Sequence, residues 1–297
     1  MTPIAPISLR RSQAPRVPLL SLDTVWFQVA GTLCNLSCNH CFISCSPTNH
    51  AHEIMRREDV RRYLDEAASL GANDTYFTGG EPFLNREILE ILEDALRLGP
   101  ATVLTNATLI TPARAHALAA MEQSSRYSLE IRVSLDGLDP ETNDPIRGEG
   151  CFDATMAGVR ELARAGFNPI LTVAQTWRDE EDRALRGEFH EFLRRNGLRR
   201  PRVKILPLFR IGREESRTRG YATEEFLTEE HMRGHDPWTL QCSTSRMVTS
   251  RGVYVCPILI DAPDALLGRT LAETLRPFPM SHGACHTCWS TGASCRN

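Results

Sequence analysis

The sequence predicts a parallel α/β fold followed by a small cysteine-rich extension, on three observations. Apolar strand-like runs alternate with amphipathic helix-like runs from Val25 to Leu208, polar residues and a glycine pair stand where those strands end, and five of the ten cysteines lie from Cys242 onward. Alternation of this kind implies a parallel sheet, because parallel neighbours are joined by a crossover, usually a helix. Right-handed crossovers curl such a sheet into a doubly wound sheet or an incomplete barrel, and periodicity does not choose between the two.

The elements follow in order. Residues 1–21 form an N-terminal arm whose prolines and arginines lack the apolar core and small-residue cleavage site of a secretion signal. Strands are expected at Val25–Ala30, Asp74–Thr78, Ala101–Thr105, Leu129–Leu135, Pro169–Gln175 and Arg202–Leu208. Helices are expected between them at Arg57–Leu70, Arg86–Leu98, Pro112–Glu122, Phe152–Ala165 and Glu180–Asn196. These runs make a unit over 22–211, and 212–297 reads as a linker and extension. Gly212 to Gly234 is glutamate- and arginine-rich, as a solvated linker or surface helix is, and its acidic residues also suit a rim for a cationic substrate. Met247 to Val255 reads as a hairpin around an Arg251-Gly252 turn.

Composition bounds the function. A chain of 297 residues with 41% hydrophobic and 24% charged residues has the make-up of a globular enzyme with a large core. A net charge of −3 gives no reason to expect nucleic acid or an anionic membrane as partner. No run approaches the eighteen or so apolar residues of a membrane span. Lys204 is the only lysine, so Schiff-base chemistry has one residue and no motif. The cysteines fall in CxxxCxxC and CxxC groupings, which favour metal in a reducing cytoplasm over disulfides.

Cys34, Cys38 and Cys41 form the CxxxCxxC, on one loop after the first strand. Three thiolates so spaced suit three irons of a cubane and leave the fourth open; a zinc loop completed by Cys45 is the alternative. An open iron binds a small chelating molecule, and such clusters reach potentials of about −700 mV, low enough for one-electron reduction of a sulfonium. Thr78-Gly79-Gly80-Glu81-Pro82 then follows the second strand, at about the distance of one βα unit. Paired glycines let backbone approach a ligand closely. In parallel α/β folds ligands lie at the carboxyl ends of strands. Thr105 and Asn106, Ser134 and Asp136, and Arg147 shortly after all stand at such ends.

These two motifs together resemble the radical S-adenosylmethionine (SAM) enzymes. The resemblance selects a partial (β/α)6 barrel and implies a 4Fe-4S cluster on Cys34, Cys38 and Cys41 with SAM on its open iron. It implies that Gly79, Gly80 and Glu81 hold the methionine amino group, and Thr105 and Asn106, at the end of the next strand, are expected to bind the cofactor as well. Ser134, Asp136 and Arg147 would serve the ribose and carboxylate of SAM. The strand-five glycine pattern for adenine is not evident around Thr172-Val-Ala174, leaving adenine contacts unassigned.

Cys242, Cys256, Cys285, Cys288 and Cys295 resemble the twitch or SPASM extensions of that family, and five cysteines argue for one auxiliary 4Fe-4S cluster. A zinc ribbon is the alternative. Cys256, Cys285, Cys288 and Cys295 as ligands leave Cys242 as a free hydrogen-atom donor; the twitch pattern instead uses Cys242, Cys256, Cys285 and Cys288 and frees Cys295. The short arm favours a compact polar substrate over a leader peptide. Size, single auxiliary site and spare thiol resemble the aminoglycoside-tailoring members, which points to an epimerase of an amino sugar. An amino-sugar or cyclitol dehydrogenase and a peptide maturase are the alternatives. An electron donor such as flavodoxin or ferredoxin is the implied partner.

Overall fold

The computed structural model describes residues 13–177 and 181–292; Cys295 and the expected helix start at Glu180 lie outside them. The strands are β1 (Arg16–Val17), β2 (Thr24–Gln28), β3 (Asp74–Thr78), β4 (Ala101–Thr105), β5 (Leu129–Ser134), β6 (Ile170–Ala174) and β7 (Arg202–Leu206). They continue as β8 (Ser245–Thr249), β9 (Gly252–Tyr254), β10 (Leu266–Gly268) and β11 (Phe278–Pro279). The helices are α1 (Arg57–Ser69), α2 (Ile88–Leu96), α3 (Pro112–Ser124), α4 (Pro140–Arg147), α5 (Cys151–Arg164) and α6 (Asp182–Arg195). The extension adds α7 (Arg213–Thr218), α8 (Glu229–Met232) and α9 (Gly283–Thr291).

Strands β2 to β7 run parallel in chain order, each expected strand appearing within a few residues of its predicted bounds. The fold is the expected mixed α/β architecture, a parallel barrel-type core with a cysteine-containing extension. Side-chain alternation divides its interior. Val25 and Phe27 of β2 pack outward with α1 and α2, while Trp26 faces inward and stacks on Tyr76 of β3 at 4.3 Å. Arg132 of β5 lies over Tyr76, and its charge is met by Glu130 at 3.1 Å. These bulky groups fill the middle of the barrel, so the next inward position, Gln28, opens onto the cavity above.

Three features were not anticipated. β8 adds parallel to β2, pairing Thr24 with Ser245, so the extension continues the barrel's own sheet to nine strands with β9 and β10 antiparallel beyond it. The hairpin turn is Ser250-Arg251, because Gly252 already pairs with Thr249. Helix α4 forms despite Pro145. Asp139 caps it by accepting from Thr142 N at 2.8 Å, Pro140 is pre-set for its first turn, and Gly148 ends it at φ +118°. It buries Asn143 and Arg147, four residues apart on one face. The arm is tied down as β1 against β11. Among the described residues no helix is long and apolar enough to cross a membrane.

Candidate functional site

Nine expected site residues, Cys34, Cys38, Cys41, Gly79, Gly80, Thr105, Asn106, Ser134 and Arg147, line one cavity at the carboxyl ends of the parallel strands. It encloses about 1250 Å³ counting its open mouth. Glu81 and Asp136 stand directly behind its wall and organise it.

The cysteine loop is seated by the glycines. Gly80 N donates to Gly31 O at 2.8 Å and Glu81 N to Leu33 O at 3.0 Å, laying the two segments side by side. A Cβ on Gly80 would stand 2.0 Å from Leu33 O, and one on Gly79, at φ +154°, would stand 2.8 Å from Ala30 Cβ. The glycine pair is therefore required by the loop's own packing, whatever the loop holds.

Glu81 turns away from the cavity. Its carboxylate accepts from Thr105 Oγ1 at 2.7 Å, Phe83 N at 3.1 Å and Asn106 N at 2.8 Å, with the residue fully buried. Burial pushes its pKa up, against these three donors. It thereby fixes the ends of β3 and β4 together. Asn106, released on the cavity side, donates to Asn35 Oδ1 at 2.9 Å beside Cys34.

Asp136 is the corresponding brace on the far wall. Its carboxylate lies 2.7 Å from Arg147 Nε and 2.5 Å from His40 Nε2, and accepts from Ala174 N at 2.7 Å. Burial alone would raise its pKa, but Arg147, His40 and the Ala174 N–H hold it well below the usual carboxylate range. Arg147 is thus presented, charged, at the cavity wall. His40, between Cys38 and Cys41, was not singled out from the sequence, since a lone histidine carries no spacing signal; in the fold it ties the cysteine loop to the end of β5.

Burial pushes the Cys34 thiol up to about 12 and Cys38 up to about 11. Cys41 moves the other way, below the ordinary thiol value, because Cys45 donates to it from both side chain and backbone, the latter at 3.3 Å. On residues that line this cavity, Gln28 Oε1, Thr172 Oγ1 and Trp26 Nε1 are buried without a hydrogen-bond partner among the described residues. A thiol trio, a glycine pair on the lining and a braced arginine fit a thiolate-held cluster with a polar chelating cofactor.

A second cavity of about 440 Å³ is ringed by Cys242, Cys256, Cys285 and Cys288 among apolar residues such as Leu240, Val255 and Met280. Cys285 and Cys288 sit one turn apart on α9. Burial pushes the Cys242 thiol up to about 11, and raises Cys285 well above the ordinary thiol value. Arg246 supplies the test of fit. It is 1% exposed, donates among the described residues only to the carbonyls of Cys242, Ser245, Thr274 and Arg276 at 2.7–3.1 Å, and has Cys242, Cys256 and the cation Arg276 as its electrostatic neighbours. A buried cation with no carboxylate beside it among the described residues is costly; thiolates would compensate it, so the residues fit an anionic thiolate centre. No three His, Cys, Asp or Glu side chains among the described residues converge closely enough to hold a single ion. Ile258 lines both cavities.

A sequence profile described as "Radical SAM superfamily" matches residues 29–186, more than half of the chain. An "AdoMet-dependent heme synthase" of Methanosarcina barkeri is 35% identical over 144 residues, covering 48% of this chain and 39% of that protein. A "GTP 3',8-cyclase" of Actinobacillus succinogenes is 28% identical over 214 residues, covering 70% and 60%. The chain thus spans 39% to 60% of the length of these two curated relatives. Among solved structures, anSMEcpe with bound AdoMet superposes with a TM-score of 0.60 at 18% identity, covering 84% of this chain and 79% of the other. SuiB of Streptococcus suis bound to the precursor peptide SuiA gives 0.64 at 17%, covering 92% and 72%. At these identities the likeness is one of fold.

Proposed function

The chain belongs to the radical SAM superfamily, and from that premise we propose that it inverts one carbon of a small polar substrate, an amino sugar of the aminoglycoside class. The observation that carries the radical part is the single cavity lined by the three motif cysteines, the glycine pair and Arg147. The chemistry that a 4Fe-4S centre supplies when bound with SAM is one-electron cleavage to a 5′-deoxyadenosyl radical. In this reading Cys34, Cys38 and Cys41 hold the centre, and Gly79 and Gly80 present backbone to the methionine amino group. Glu81 acts through its hold on Thr105 and Asn106. Ser134 faces the ribose, and Arg147, held by Asp136, takes the carboxylate in its planar fork.

The spare thiol supports inversion. Abstraction of a hydrogen atom leaves a carbon radical, and a thiol on the opposite face returns a hydrogen atom because an S–H bond is weaker than the C–H bond formed. The sulfur radical left behind takes one electron and one proton, the electron coming from a flavodoxin- or ferredoxin-class donor. Cys242 shares its cavity with Cys256, Cys285 and Cys288, which favours these four as ligands of a second 4Fe-4S centre and Cys295 as the donor. The other set, with Cys295 as ligand, makes Cys242 the donor, and its burial-raised pKa would keep that thiol protonated. The closeness of the two cavities, which share Ile258 in their linings, favours one second reading, a dehydrogenase passing the substrate electron to the extension centre.

Turnover in deuterium oxide with candidate aminoglycosides separates these. An epimer carrying one deuterium at the inverted carbon supports inversion, and a ketone supports the dehydrogenase. Unchanged aminoglycoside alongside a modified peptide would overturn both. Cys242→Ala and Cys295→Ala, assayed in parallel, identify the donor as the variant that consumes substrate hydrogen without yielding the epimer.

A further inference from the structure

We propose that Arg213 is a positioning residue for the radical-generating centre: from outside the family-matched region it clamps the loop carrying Cys34, Cys38 and Cys41 and sets a fixed positive charge beside Cys41. The glutamate- and arginine-rich stretch in which it lies read as solvated surface. Its first residues are instead docked. Arg213 Nη1 donates to Cys38 O at 2.5 Å, Nη2 donates to Cys45 O at 2.9 Å and Ser44 O at 3.2 Å, and its backbone N donates to Cys41 O at 3.1 Å. Gly212 makes the approach possible, since at φ +60° a Cβ there would stand 2.3 Å from Phe42 O. Four carbonyls between residues 38 and 45 are therefore gathered by one residue.

The grip has a counterpart on the other side. Asn39 donates to Ile146 O at 2.8 Å through its backbone and to Pro145 O at 2.7 Å through its side chain. The loop is held between α4 and the start of α7; Arg147 at the end of α4 sets its charge beside Cys38, and Arg213 sets its charge beside Cys41. Neighbouring Glu214 is paired with Arg217 at 3.1 Å, and Arg213 bonds only carbonyl oxygens among the described residues. Its charge is left to act on Cys41, one of whose electrostatic neighbours it is. Reduction makes a thiolate-held cluster more negative, so a nearby cation favours the reduced form. The planar fork reaches several carbonyls together, whereas an ammonium is a point charge. Geometry and charge can thus be removed separately.

The test uses full-length, anaerobically reconstituted Arg213→Gln and Arg213→Lys beside wild type. An EPR-monitored redox titration follows the signal that changes on adding SAM, and iron release to a chelator is timed. Arg213→Gln is expected to weaken the reduction equilibrium about tenfold, which is about 59 mV for a one-electron couple, and to release iron several-fold faster. Arg213→Lys is expected to keep the wild-type potential while releasing iron faster. Equal potentials in all three proteins, or equal lowering in both variants, would overturn the proposal. It rests on Cys34, Cys38 and Cys41 carrying the centre; failure of that reading is distinguishable, because wild type would then show no SAM-responsive signal.

Discussion

Asp136→Asn tests the brace behind the cavity. The Asp136 carboxylate is fully buried and meets Arg147 at 2.7 Å, His40 at 2.5 Å and Ala174 N at 2.7 Å, while the Arg147 side chain is 8% exposed. An amide of the same shape keeps the packing but leaves the guanidinium buried without its counter-charge. Breaking a buried pair in this way costs about 3–5 kcal/mol, so urea unfolding of the metal-free variant should show a loss of that size. Arg147→Met alone strands the carboxylate similarly, and the double variant should cost much less than the sum, as coupled neighbours do. The pH dependence has a fixed sign. A carboxyl depressed in the folded state contributes fully above its unfolded pKa of about 3.9 and loses that contribution as pH falls toward the folded value. The wild-type advantage over Asp136→Asn should therefore hold from neutral pH to about 4 and shrink below it. A cost under about 1 kcal/mol, additive with Arg147→Met, would refute the reasoning.

Three further outcomes follow from the same geometry. Gly80→Ala drives a Cβ to 2.0 Å from Leu33 O and should leave a folded protein with at least a tenfold loss of bound iron, read by iron analysis. Gly187→Ala, inside α6 with nothing within 4 Å of the new atom, should instead stabilise by about 0.5–1 kcal/mol in urea unfolding. Cys288→Ala should lower iron from about eight to about four atoms per chain if the extension holds a second four-iron centre, while the SAM-responsive EPR signal survives; unchanged iron would contradict the ligand assignment.

Much of this molecule was legible because its signals are local. Alternating strand and helix runs placed β2 to β7, and the strand-end positions of Cys34, Cys38, Cys41 and the Gly79-Gly80 pair, with the family resemblance of the two motifs, pointed to one site. What was hidden depends on partners distant in the chain. Arg213 meets carbonyls more than 160 residues away, and the charge run around it carried only the pattern of a solvated segment. Helix α4 was obscured by Pro145, although Asp139, Pro140 and Gly148 are ordinary start and stop signals. Glu81 and Asp136 were picked out as cofactor contacts from their motifs, but which way a strand-end carboxylate turns is decided by tertiary packing: here, toward Thr105 and Asn106, and toward Arg147 and His40. The parallel pairing of β8 with β2 has no local trace, since a hairpin's sequence specifies its own two strands and not the edge it joins.

The most direct measurement is release of 5′-deoxyadenosine by anaerobically reconstituted protein given SAM and a strong reductant, with Cys38→Ala as the control. Steady release by wild type and none by the variant is the result expected. Equal amounts from both, or none from wild type that retains iron, would contradict the assignment of Cys34, Cys38 and Cys41 as the seat of radical generation.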